Sequence, residues 1–230
     1  MAASISEAKA EVGVQTRDVP LGSPTRPSWR GRLHLAALLV AVPLFGLLAI
    51  DVDDTRTRIG VGLYAAGLCA MFLVSTTYHR WVHTLRARAI WRRADHATIF
   101  VAIAATSTPV CLALTPAIPW WRLGLLWSLA AAGVTVKLVR GRRSASAGNA
   151  LYIANGWVGA LLVPALWIQD ERAAVVLLVV GGLVYTVGAA GFARRWPSLK
   201  ADVFGYHEVW HIATVVAAAA HFGAVWLITT

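Results

Sequence analysis

The stretch Leu33–Ile50 reads LHLAALLVAVPLFGLLAI and contains no Asp, Glu, Lys or Arg. A helix of about 20 residues crosses the ~30 Å hydrocarbon layer of a bilayer, so an apolar run of this length indicates a membrane span. Six more such segments follow, separated by short charged stretches. The sequence therefore predicts an all-α integral membrane bundle of seven transmembrane helices. The predicted spans are 33–50, 59–79, 96–114, 120–138, 149–168, 173–192 and 204–228.

The composition excludes an ordinary soluble protein. Hydrophobic residues make up 58% of the 230 residues and charged residues only 14%, where a soluble domain carries about 25% charged residues. The net charge of +10 does not predict nucleic-acid binding, because the basic residues are spread over short loops. Anionic lipid headgroups at those loops are the expected partners. Cys69 and Cys111 lie singly in apolar segments, which indicates neither a disulfide framework nor a thiolate metal site.

Residues 1–30 are polar, without periodicity, and are predicted to form a disordered cytoplasmic tail. Residues 31–230 are predicted to form the seven-helix domain. Arg30 and Arg32 precede the first apolar run, as in a signal peptide. That run is long for a signal sequence and is followed by Asp51 without a convincing small-residue cleavage site, so it is interpreted as the first membrane helix.

The basic residues predict the orientation. Residues 1–32 and three alternate loops (80–93, 137–143 and 194–200) hold 17 of the 21 Lys and Arg residues. Because cytoplasmic loops carry the excess of basic residues, the N-terminus is predicted to be cytoplasmic. Seven crossings then place the C-terminus outside, in a multi-pass protein of the cell membrane.

Several polar residues lie within the predicted spans, where each ionisable side chain costs a few kilocalories per mole and is a candidate for function. His207 and His211 are four residues apart, so on a helix they share one face. Two imidazoles in this arrangement can reach one cation at about 2.0–2.1 Å. His79 ends the second span, and Asp95 precedes the third. The predicted topology puts all four residues at the cytoplasmic side, at one depth.

This coincidence predicts a zinc site with three histidine ligands and an open fourth position, an arrangement found in catalytic zinc centres. A metal there would bring the pKa of a bound water to about 7. Asp95 is placed to hold that water and shuttle its proton. Ser75, one turn from His79, could orient His79 or donate a hydrogen bond to a polarised carbonyl.

The same residues also allow purely structural interpretations. Ser75 could bond its own helix, and Asp95 could pair with Arg92 or Arg93. The remaining histidines within or near the spans are predicted to have no part in the site. His34, His83 and His96 are interpreted as interfacial residues beside basic loops, and His221 as a packing or hydrogen-bonded histidine.

Three motifs in order carry a family resemblance: Ser75-Thr-Thr-Tyr-His79, Asp95-His-Ala-Thr-Ile99 and His207-Glu-Val-Trp-His211. From about Arg32 onward the chain resembles the haemolysin III group, the bacterial branch of the progestin and adipoQ receptor family, which is grouped with the alkaline ceramidases as metal-dependent membrane hydrolases. The resemblance implies seven helices with the N-terminus inside and a zinc ion on His79, His207 and His211. It also implies that Asp95 holds the zinc-bound water, with Ser75 at the motif's serine position.

These observations favour a zinc-dependent hydrolase of an amide or ester bond in a membrane lipid, ceramide-like in the broad sense. One alternative is a membrane receptor or regulator with a structural zinc, and another is a haemolysin-type pore-forming protein. Residues 207–211 also match H-E-x-x-H, the signature of zinc proteases whose glutamate is the general base. That alternative would make Glu208 catalytic, whereas the family resemblance implies an interfacial Glu208 near Lys200.

Overall fold

The computed structural model describes residues 27–114, 117–140, 145–197, 199–200 and 203–230. Within these ranges the chain is mainly helical and has no β-strand beyond an isolated bridge between Lys200 and Phe204. The helices are α1 (Arg32–Asp51), α2 (Thr55–Arg80), α3 (Leu85–Ala113), α4 (Trp120–Arg140), α5 (Ala145–Val158), a 3-10 turn (Gly159–Leu162), α6 (Val163–Ile168), α7 (Arg172–Ala193) and α8 (Tyr206–Thr229).

The predicted membrane bundle is confirmed. Among the described residues, six helices are long and apolar enough to cross a membrane, and a shorter apolar helical segment covers residues 154–168. That segment belongs to the fifth predicted span, which was expected to be one continuous helix and is instead divided between α5, the 3-10 turn and α6. Pro164 has no N–H to donate and its ring crowds the preceding turn, so it favours a break here.

The third helix begins earlier than predicted, at Leu85 rather than near residue 96. Thr84 caps it, because its hydroxyl accepts a hydrogen bond from the Ala87 N–H at 3.2 Å. A helix of 29 residues is about 43 Å long, roughly 13 Å more than the hydrocarbon layer is thick. The first turns of α3, which carry four arginines, can therefore extend beyond that layer. Asp95 lies in the third turn of the helix and not at its start.

Close packing of small residues brings the site-bearing helices together. Helix α2 packs along α3, and α8 packs against α7, α3 and α1. A Cβ added at Gly67 of α2 would lie 2.6 Å from the Ala105 Cβ of α3, and one added at Gly188 of α7 would lie 2.6 Å from the Ala213 Cβ of α8. Small residues at such positions let helix backbones approach closely in a bilayer. The motif-bearing ends of α2, α3 and α8 thus meet at one end of the bundle.

The segment before α1 packs against the start of α8. The N–H of Trp29 donates to the Val203 carbonyl at 3.4 Å, and the Trp29 ring meets the Phe204 ring edge-on. Of the predicted disordered tail, residues 1–26 lie outside the described residues, whereas residues 27–30 form this packed turn. Residues 27–30, which the sequence assigned to the tail, therefore pack against the start of α8.

Candidate metal centre

Three histidines from two helices meet at the end of the bundle that is predicted to face the cytoplasm. His79 lies in the last turn of α2, and His207 and His211 lie in the first two turns of α8. One potential ligand atom from each ring lies within 4.8 Å of the other two. The predicted convergence of these three side chains is therefore confirmed, and the cluster could hold a metal ion.

The distance between two of the three rings suits a tetrahedral metal. Nitrogen ligands at 2.0–2.1 Å from a tetrahedral zinc ion lie about 3.3–3.4 Å apart. The Nε2 atoms of His79 and His207 are 3.3 Å apart. This distance alone would also suit an N–H···N hydrogen bond. The Nε2 of His211 is the more informative atom, because it is buried and has no hydrogen-bond partner among the described residues. An unpaired buried nitrogen beside two other imidazoles fits a metal ligand.

Asp95 and Ser75 face each other where α3 crosses α2. Ser75 is 2% exposed and lies close enough to the Asp95 carboxyl to interact with it. The Ser75 hydroxyl makes no regular hydrogen bond to any described residue. The Asp95 side chain is 15% exposed, and its Oδ2 lies 3.7 Å from His96 Nδ1. The catalytic roles of Asp95 and Ser75 stay predictions, but Asp95 of α3 lies beside Ser75, which is one turn from His79 on the same face of α2.

His34 is not the interfacial residue that was predicted. It is buried at 4% exposure, and its Nε2 lies 3.0 Å from Nδ1 of His211 and 3.0 Å from the Thr214 hydroxyl. Its position in the first turn of α1 points it inward, because α1 and α8 are in contact. An ionisable residue inside a membrane span is a candidate for function. This rule, applied to the first span, would have identified His34 as a candidate.

Glu208 was predicted to lie at the interface near Lys200, and this is also wrong. Its side chain is fully buried and forms an ion pair with Arg30. Its second oxygen accepts a hydrogen bond from the Gly205 N–H at 2.9 Å, which satisfies one of the unpaired N–H groups at the start of α8. Both carboxylate oxygens are therefore engaged in holding the chain together, an arrangement that disfavours Glu208 as a general base.

The other histidines agree better with expectation. His83 is exposed, and the Nδ1 of His96 lies 2.9 Å from the Arg92 carbonyl of its own helix. His221 packs against Gly181, with Nε2 3.3 Å from the Leu178 carbonyl. His221 is thus a packed, hydrogen-bonded histidine as predicted, outside the three-histidine cluster.

Gly31 packs directly behind the cluster and leads to a first testable prediction. Its φ of +74° is unfavourable for other residues, and an added Cβ would lie 2.8 Å from Arg80 Cγ and 3.0 Å from His79 Cβ. Gly31→Ala should destabilise the fold, by about 1–2 kcal/mol from the backbone conformation alone, and should also weaken metal binding by shifting His79. Thermal unfolding and metal titration of the purified protein measure the two effects.

Gly46 within α1, the helix that Gly31 precedes, provides the control, because a Cβ added there meets nothing within 4 Å. Gly46→Ala should be neutral or slightly stabilising, since alanine favours helix more than glycine does. A Gly31→Ala protein as stable as Gly46→Ala, with unchanged metal binding, would contradict the packing described for Gly31.

Comparison with known proteins extends the resemblance seen in the motifs. Residues 23–222 match the family described as Haemolysin-III related. The chain is 28% identical over 193 residues to Hemolysin-3 of Bacillus cereus, covering 82% of this chain and 85% of that protein. It is 26% identical to the Hemolysin-3 homolog of Bacillus subtilis (strain 168), covering 82% and 87%. It is also 28% identical over 201 residues to the human monocyte to macrophage differentiation factor, covering 84% and 80%.

The family match spans the whole described bundle apart from the end of α8. All three motifs that carry the resemblance, and all three clustered histidines, fall inside the matched residues. This multi-pass membrane protein therefore belongs to the haemolysin III family, within the wider progestin and adipoQ receptor family.

Proposed function

We propose that this protein is a zinc-dependent hydrolase that cleaves an amide or ester bond of a membrane lipid at the cytoplasmic side of the bilayer. The observation that carries the proposal is the convergence of His79, His207 and His211, whose ligand atoms lie within 4.8 Å of one another. Imidazole nitrogens are ligands that zinc prefers. The family membership supports the proposal, since the motifs that define the resemblance contain these same residues.

In the proposed reaction, His79, His207 and His211 hold the metal. A zinc ion bound there would polarise a carbonyl and lower the pKa of a water molecule. The Asp95 carboxylate would accept a proton from the attacking water and pass it to the leaving amine or alcohol, as a general base and then a general acid. The Ser75 hydroxyl, which lies beside Asp95, would hold that carboxyl in position or donate a hydrogen bond to the carbonyl oxygen.

The position of the cluster supports a lipid as the substrate. The histidines lie at the ends of apolar helices, where the amide and ester linkages of lipids are found, just below the headgroups. His207 is only partly buried, so a substrate group could reach the cluster from its side. The outward surface of α7 is apolar, with exposed Val176, Val180 and Val187, so acyl chains can lie against the bundle.

The test is lipid turnover by purified protein in bilayer nanodiscs containing ceramide or an ester phospholipid, with fatty acid release as the readout. The wild type should release fatty acid, and Asp95→Asn should lower the rate by about 10²–10⁴-fold, the usual contribution of a general acid–base group. His207→Ala should abolish it. His221→Ala removes a partly buried histidine outside the cluster and should leave the rate nearly unchanged. Equal turnover by the wild type and His207→Ala would reject the hydrolase.

A second candidate is a receptor or regulator in which the metal is structural. The observation that favours it is burial: His79 is 7% exposed and His211 is 4% exposed. A closed metal site would tie α2 to α8 and contribute folding energy. In that case chelation would lower the melting temperature, and neither the wild type nor any variant would release fatty acid.

A further inference from the structure

A fourth histidine contacts the cluster from a helix that carries none of the three motifs. His34 lies in the first turn of α1, and its Nε2 is 3.0 Å from Nδ1 of His211. The two rings are nearly perpendicular, with centroids 4.1 Å apart. Both side chains are buried, so water does not compete freely for this contact. The contact leaves the Nε2 of His211, for which the described residues offer no hydrogen-bond partner, to join His79 and His207 as a metal ligand.

Thr214 lies beside the contact between His34 and His211. Its hydroxyl oxygen is 2.8 Å from the His211 carbonyl oxygen one turn earlier in α8 and 3.0 Å from His34 Nε2, and its single proton can be donated to one of these two acceptors. The ring of His34 also packs on Phe72 of α2, at a centroid distance of 5.2 Å. His34 is therefore held by residues of α2 and α8 at once, and its Nε2 has little freedom to leave His211.

The chemistry of a metal-binding imidazole assigns the direction of this hydrogen bond. A histidine that binds a metal through Nε2 is neutral and carries its proton on Nδ1. The Nδ1–H of His211 would then donate to the Nε2 lone pair of His34. The second nitrogen of a metal-binding histidine normally donates to a carboxylate, a backbone carbonyl or water. In this protein the acceptor is another imidazole, contributed by α1.

We propose that His34 is a positioning residue that orients His211 for metal binding by accepting a hydrogen bond from its Nδ1. The first helix is then part of the metal centre, in addition to the helices that carry the motifs. The proposal rests on the metal site of the proposed function and does not depend on hydrolysis. Its effect is on metal affinity and on the geometry of the bound metal.

Two replacements of His34 separate the hydrogen bond from the packing. In His34→Gln the side-chain oxygen can take the place of Nε2 and still accept the hydrogen bond. His34→Leu keeps a similar volume but has no acceptor. His221→Leu is the control, because it removes a partly buried histidine that bonds a backbone carbonyl on another helix away from the cluster. Thr214→Val removes the hydroxyl beside His34 Nε2 and keeps both rings.

The measurements are the zinc affinity of metal-free protein, by competition with a chelating dye, and the visible spectrum of the cobalt(II)-loaded protein. His34→Leu should weaken zinc binding about 10–100-fold, the usual cost of losing such a partner, and should change the cobalt spectrum. Thr214→Val should weaken binding less. His34→Gln should restore most of the affinity, and His221→Leu should bind as the wild type does, even where its melting temperature falls.

The outcomes distinguish this proposal from the proposed function. A His34→Leu protein with wild-type affinity and an unchanged cobalt spectrum would overturn the role of His34 while leaving the metal site intact. A His34→Gln protein as weak as His34→Leu would also overturn it, because packing alone would then explain the loss. Wild-type protein that binds neither zinc nor cobalt would overturn both proposals together. Loss of turnover without loss of metal binding would bear only on the hydrolase.

Discussion

Protein purified with His211 replaced by alanine should contain almost no tightly bound metal, whereas the wild type should contain about one zinc ion per chain. Of the three clustered histidines, His211 is the one that a solvent molecule could replace least easily as a ligand, because it is buried at 4% exposure and contacts His34. Two remaining histidines are fewer than the three or four protein ligands that zinc sites normally provide. Elemental analysis of protein prepared without chelators measures the difference.

The same site should contribute to stability. A ligand present at a thousand times its dissociation constant stabilises the folded state by about 4 kcal/mol, so removing the metal from the wild type should lower the melting temperature clearly. His211→Ala should melt near the metal-free wild type and should not respond further to chelator. His221→Ala should keep the chelator response. A wild-type protein with no metal, or a His211→Ala protein with a full complement, would refute the three-histidine site.

Replacing Glu208 should give the largest loss of stability of any single change at this end of the bundle. The carboxylate is fully buried and pairs with Arg30, whose side chain is 24% exposed. Removing one partner of a buried ion pair leaves an uncompensated charge and costs about 3–5 kcal/mol. Glu208→Leu also removes the hydrogen bond to the Gly205 N–H. We expect a loss near 3 kcal/mol, at the lower end, because Arg30 can still reach water in part. Unfolding in mixed detergent micelles measures it.

A double variant provides the control for this ion pair. Arg30→Met combined with Glu208→Leu removes both charges, so it should be less destabilised than Glu208→Leu alone. If the double variant loses as much stability as the two single variants together, the two side chains do not interact.

Glu208→Gln addresses the protease alternative, because it keeps an oxygen for the Gly205 N–H. Turnover that falls more in Glu208→Gln than in Asp95→Asn would support a catalytic glutamate, which the buried pair with Arg30 disfavours.

Much of the fold was predictable because a membrane limits the choices. The hydrocarbon layer offers no water to the backbone N–H and C=O groups. A long apolar run with few charges therefore forms a helix, in which these groups bond one another. Six of the seven predicted spans correspond to single helices in the structure. The failures have local causes. The arginine-rich first turns of α3 are too polar to be recognised as part of a span, although a long helix can extend into the headgroup region. The break before Pro164 was missed because span length was judged from hydrophobicity alone.

The sequence alone determined the membrane class, the number of apolar segments and the convergence of His79, His207 and His211. These follow from hydrophobicity and from which helix ends share one side, and the predicted cytoplasmic orientation rests on the loop charges in the same way. Only the tertiary structure decided that His34 contacts His211 and that Arg30 pairs with Glu208. Both contacts join residues more than 170 positions apart. They depend on how α1 and the turn before it are oriented against α8. Side-chain packing between the two helices decides that orientation, and the pattern of residues along one helix does not predict it.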